Sequence, residues 1–171
     1  MKLQDIAGFC PEEAIWRMLA DVSRFVISDG GGYTLDANTV AVDGSHFMVT
    51  AENDGTQAAD MVWALGALAY YAATGHEVFG GHGAAYQQEH PSVALPSMPK
   101  TFQALTAIVH ACLCYDTSQR TTLQALSEAA QKGLDACAAQ QRSKDDANVS
   151  KSTPKANGTI EKWPEEMSLN T

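Results

Sequence analysis

The chain has 171 residues and a mass of 18.2 kDa, and 45% of its residues are hydrophobic, enough for one packed core with a short extension. Its formal net charge of −9 sets it against nucleic-acid backbones and anionic membranes, because both repel an acidic surface. The expected partner is therefore a protein, basic or neutral, or a second copy of the chain.

From Met1 to Cys10 there is no continuous apolar segment and no cleavage signature, so a cytoplasmic location is expected. Pro11, Glu12 and Glu13 then open a helix, since proline suits a helix start and acidic side chains suit the positive end of the dipole. Ile15, Met18, Leu19, Val22, Phe25 and Val26 recur at helical spacing, and Asp29-Gly30-Gly31-Gly32 ends the run. Thr39 to Val42 and His46 to Thr50 flank Asp43-Gly44-Ser45, which predicts a small β-ribbon.

After a polar connection, residues 56–75 form the most informative stretch. No charge falls between Met61 and Ala73, so a helix there has no face to give to water and is predicted to be buried on every side. It is too short for a bilayer, which needs about 20 apolar residues. Asp60 stands at its entrance, expected to accept hydrogen bonds from the backbone of the Gly30 to Tyr33 loop rather than to bind a metal. Trp63 is expected in the core, and Gly75 closes the helix.

Residues 76–99 are rich in Gly, His and Pro and read as loop, with one short helix near Ala84 to Gln88. A helix begins at Pro99 or Lys100 and carries Phe102, Leu105, Ile108, Val109, Cys112 and Leu113 on one face. Tyr115 to Gln119 breaks it. Arg120-Thr121-Thr122 caps a last helix with an apolar stripe of Leu123, Leu126, Ala130 and Leu134. From about Gln141 the composition turns polar, so residues 1–141 are expected to form the domain and 142–171 a tail, mobile or docked through Ile160, Trp163 and Met167.

Metal and cofactor signals are weak. His46, His76, His82, His90 and His110 have no ligand spacing, and Cys10, Cys112, Cys114 and Cys137 form neither a disulfide framework nor a zinc pattern. Phe79-Gly80-Gly81-His82-Gly83 follows no strand and lacks the Gly-Lys-Ser/Thr of a phosphate loop. His110 and Cys112 lie two apart on a helix without an orienting acid, so no nucleophile is expected there. Neither a metal nor a cofactor is expected.

Several motifs, in order, resemble the C-terminal lobe of protein kinases. Asp60, Trp63 and Gly66 match the D-x-x-W-x-L-G of that lobe's central helix. Thr74-Gly75 followed by Phe79-Gly80 resembles T-G-x-x-P-F with Val78 in place of proline, and Leu113 to Thr122 resembles L-x-x-D-P-x-x-R-P-T with two prolines missing. The resemblance covers roughly Cys10 to Leu134 and implies a mainly α fold: a kinase-like C-terminal lobe with a central buried helix and a small β-ribbon.

The same resemblance implies lost chemistry. Aligning Asn38 with the family's magnesium-binding asparagine puts Tyr33 where the catalytic aspartate belongs and Leu35 where a phosphate-contacting lysine often stands. A phenol with a pKa near 10 is a poor proton acceptor at neutral pH, and leucine offers the phosphate no charge. Asn38 itself is expected to form a turn. With Met1 only a few residues before the first helix, the glycine-rich loop, the strand lysine and its glutamate are expected to be absent, and ATP is not expected as a ligand. Ala51-Glu52 resembles the remnant of A-P-E, which implies a Glu52 to Arg120 ion pair. The function expected is a catalytically inactive, pseudokinase-like binding or scaffolding module. The rival is half of a split serine/threonine kinase completed by a separate N-terminal lobe.

Overall fold

Proline at the N-cap has no amide hydrogen to leave unpaired, and the two glutamates that follow favour the helix dipole. The computed structural model describes residues 1–152, and its first long helix, α1, spans Glu12–Asp29 behind Pro11. Gly30 ends it in the left-handed conformation at φ 71°, with its N–H on the Val26 carbonyl. Phe25 departs from the expected stripe: it lies on the exposed side, stacked at a tilt against Tyr33.

Strands β1 (Val40–Asp43) and β2 (His46–Val49) pair antiparallel, Val40 opposite Val49 and Asp43 opposite His46. A two-stranded ribbon is marginal alone. Here one Asp21 carboxylate oxygen on α1 accepts the Phe47 N–H at 3.1 Å and meets His46 Nδ1 at 3.2 Å, while Val40 and Phe47 face the core.

Helix α2, Ala58–Thr74, is closed by Gly75 at φ 73°. It packs on α1 and on α4, Thr106–Cys112. At Gly66 the crossing with α4 is so close that a Cβ would lie 2.5 Å from the Cβ of Cys112, so only glycine fits. From Met61 to Ala73 no residue is exposed, but burial is not uniform. Trp63, Ala64, Ala67, Tyr70 and Tyr71 are only half-buried, leaving a strip that the absence of charge did not reveal.

A 3-10 turn at Val78–Gly81 leads to the short helix α3, Gly83–Glu89. The single helix expected from residue 100 is divided: a 3-10 segment, Lys100–Leu105, precedes α4, because Phe102 leaves the helical region at φ −116° and packs its ring on the core. Helix α5, Leu123–Ser152, starts with the Thr122 hydroxyl accepting the Ala125 N–H at 3.1 Å. Its Leu126, Ala130 and Leu134 are buried against α1, and Gly133 admits the Trp16 ring, which would leave no room for a Cβ.

The boundary expected at residue 141 is not a break in structure. Residues 142–152 continue α5, although every side chain from Ala138 to Lys151 is exposed. A local side-chain pair supports this part: Gln141 Nε2 donates to Asp145 Oδ1 at 3.0 Å, one turn further along the helix. Ile160, Trp163 and Met167 lie outside the described residues.

Candidate functional site

The three glycines after α1 leave a backbone that must find partners as it turns toward β1. It finds them in the residues just before α2. Tyr33 and Asn53 form an antiparallel bridge, and the Asp54 N–H donates to the Gly32 carbonyl at 2.9 Å. Asn53 Oδ1 accepts the Gly32 N–H at 3.2 Å, and Asp54 Oδ2 accepts both the Thr34 N–H at 3.0 Å and its hydroxyl at 2.6 Å. The other Asp54 oxygen accepts the N–H and hydroxyl of Thr56 at 2.9 and 2.6 Å. The Thr34 hydroxyl, then the Thr56 hydroxyl and amide, hold the Asp54 carboxyl well below the usual carboxylate range.

The loop anchor is therefore Asp54, not Asp60. The short connection brings Asn53 and Asp54 alongside the loop, and the Tyr33 N–H goes instead to Met61 Sδ at 3.3 Å. Asp60 is exposed on the first turn of α2, beside a polar recess bordered by Gln87, Tyr115, Asp116 and Arg120.

The Glu52 to Arg120 ion pair is not formed either. Arg120 gives Nε to the Cys114 carbonyl at 2.9 Å, Nη1 to Ala59 at 2.9 Å and Nη2 to Tyr115 at 3.4 Å, while Glu52 is exposed. The Cys114 and Tyr115 carbonyls lie past the end of α4, where no backbone amide among the described residues takes them, so the guanidinium supplies their donor. Arg120 thus ties the start of α2 to the α4–α5 connection.

Tyr33 and Leu35 are both buried. The Tyr33 phenol donates to the Asp29 carboxylate, and that bond, followed by burial, raises its pKa and keeps the proton in place. Asn38 lies exposed in a turn that is built by its neighbour: Asp36 Oδ1 accepts the N–H groups of Asn38 at 2.6 Å and Thr39 at 3.0 Å. Burial pushes the Cys112 thiol up to about 12, and His110 Nε2 faces the Pro96 carbonyl at 3.0 Å, so the two do not form a nucleophile and base. Tyr86 stacks with His82 and with His90 at ring-centre distances of 5.8 and 4.2 Å. Among the described residues no three His, Cys, Asp or Glu side chains are grouped to hold a metal.

Leu35 and the half-buried strip of α2 meet in a groove of about 260 Å³. Its wall is Leu35, Trp63, Ala64, Ala67, Leu68 and Val78, and its exposed acidic neighbours are Asp36 and Glu77. Trp63 is held as a wall rather than buried as core: its Nε1 donates to Gln87 Oε1 at 3.0 Å, and Gln87 Nε2 donates to the Leu113 carbonyl at 2.7 Å. Gln87, only 3% exposed, is the residue that sequence reasoning missed, because a glutamine in a short helix between polar loops gives no sign that it will be enclosed. Comparison with protein-family models and with curated proteins gives no match to this chain.

Proposed function

We propose that this chain is a pseudokinase-like protein-binding module that carries out no phosphotransfer, and that the groove beside α2 is its contact surface. The observation that carries the binding half is an apolar wall on an otherwise buried helix, left open to solvent and held rigid by the Trp63–Gln87–Leu113 hydrogen bonds. The order of helix, ribbon, central helix and capped last helix agrees with the kinase-lobe resemblance, whereas the places of Asp60, Glu52 and Arg120 depart from it. The silent half rests on Tyr33 and Leu35, whose side chains are committed to packing at the positions where the resemblance calls for a base and a phosphate contact.

Two measurements test these halves separately. A photo-crosslinking phenylalanine analogue in place of Tyr71, which already puts an aromatic ring on the groove, should give a discrete adduct in native cytosol, and the same residue at exposed Gln140 should not. Equal labelling from both positions, or none from either, rejects the groove as a contact surface. Isothermal titration with ATP and magnesium should show no saturable heat; saturable binding would reject the loss of nucleotide chemistry.

A further inference from the structure

We infer that the groove takes a partner segment with a large apolar side chain flanked by lysine or arginine, the cations meeting Asp36 and Glu77 at its mouth. This rests on the binding-module proposal and adds the chemistry of the partner. Asp36 uses Oδ1 for its own turn, and no donor among the described residues meets its Oδ2. The Glu77 carboxylate lies across Gly81, whose absent Cβ would fall 2.3 Å from Oε2. None of the ion pairs among the described residues, Arg17 with Glu13 and Asp21 with Arg24 and His46, uses either carboxylate. No basic side chain lines the groove. An apolar pocket with two carboxylates lacking cations favours a ligand that supplies both the anchor and the charge.

Charge also decides among the occupants. The chain's own C-terminal segment surrounds Trp163 with Glu161, Glu165 and Glu166 against a single Lys162, so it would bring carboxylates to an acidic mouth. A second copy would bring a net charge of −9 to the same place. Both are repelled where a basic segment is attracted.

The test uses the full chain as bait for random displayed peptides, the enriched sequences then serving as fluorescent probes for anisotropy. Enriched peptides should carry Leu, Phe, Ile or Trp close to Lys or Arg, and should lose binding with Ala67→Phe and with Ala64→Gln, each checked for an unchanged melt. The double variant Asp36→Asn, Glu77→Gln keeps the Asp36 turn acceptor and should weaken binding about fivefold at low salt, with the difference vanishing at high salt. Peptides that are blocked by both groove variants yet lack basic flanks, or bind the double variant equally well, overturn this inference and leave the groove standing. Enrichment of nothing, or binding that survives both blocks, overturns the groove itself. Displacement of the probes by a peptide of residues 153–171 at lower concentration than by a basic one assigns the groove to the chain's own C-terminus and overturns the inference.

Discussion

Helix α2 has no charged and no exposed residue between Met61 and Ala73, whereas the end of α5, from Ala138 to Lys151, is wholly exposed and carries Arg142, Lys144, Asp145, Asp146 and Lys151. Both are helical, but different forces make them so. The first is set by burial between α1 and α4, with packing so close at Gly66 that a methyl group is excluded. The second depends on propensity and on side-chain pairs four residues apart such as Gln141 with Asp145, worth a few tenths of a kcal/mol. It follows that global stability and the binding wall both reside in α2, while the end of α5 reports only on itself.

The largest effect should come from breaking the buried side. Leu65 is fully buried on α2, so Leu65→Ala should cost about 3 kcal/mol and lower the thermal midpoint by roughly 10 °C. A loss below about 1 kcal/mol would mean that α2 is not the axis of the fold. Next comes the tie at its start. Arg120→Met should cost about 2 kcal/mol because three carbonyls lose a charged donor, whereas Glu52→Gln at its exposed position should stay within about 0.5 kcal/mol. Equal losses in urea titrations of the two variants would restore the ion pair that the structure does not contain.

A smaller effect, readable by pH, concerns the loop anchor. The folded-state pKa of Asp54 lies below its ordinary 3.8, so the contribution of its bonds to Thr34 and Thr56 is present above that value and is lost as pH falls through the folded pKa. Wild-type protein should therefore lose more stability on acidification below pH 3.8 than Asp54→Asn does, measured as urea midpoints. Parallel acid profiles would show that the anchor is not this carboxylate.

What could be read from the sequence follows the same division. The lengths of α1 and α2, the ribbon and the start of α5 were legible because apolar period, glycine and capping residues act within a few positions of where they stand. The destinations of polar side chains were not. Asp60 fits a motif but faces away from the loop, while Asp54, in an unpromising Asp-Gly-Thr, anchors it; a local carboxylate-to-threonine turn was the available signal. Arg120 takes carbonyls from the start of α2 and from the α4–α5 connection rather than Glu52, an arrangement fixed only once α4 ends beside α2. The groove was illegible for the same reason: Leu35, Trp63 and Val78 come from three separate segments, and Gln87 from a fourth fixes Trp63.

The smallest effect on the folded body is also the sharpest test of the comparison. A proline at position 147 removes one helical hydrogen bond and clashes with the preceding turn, a penalty of about 3 kcal/mol in a helix interior. At a buried site the whole domain would bear that cost. At Ala147 the helix has only exposed side chains around it, from Ala138 to Lys151, so it can unwind locally without uncovering the core. Ala147→Pro should therefore reduce ellipticity at the helical band while leaving the cooperative melt within about 0.5 kcal/mol of wild type. A melt that falls with the ellipticity would show the exposed turns to be coupled to the core, and the two helices would no longer stand as opposites.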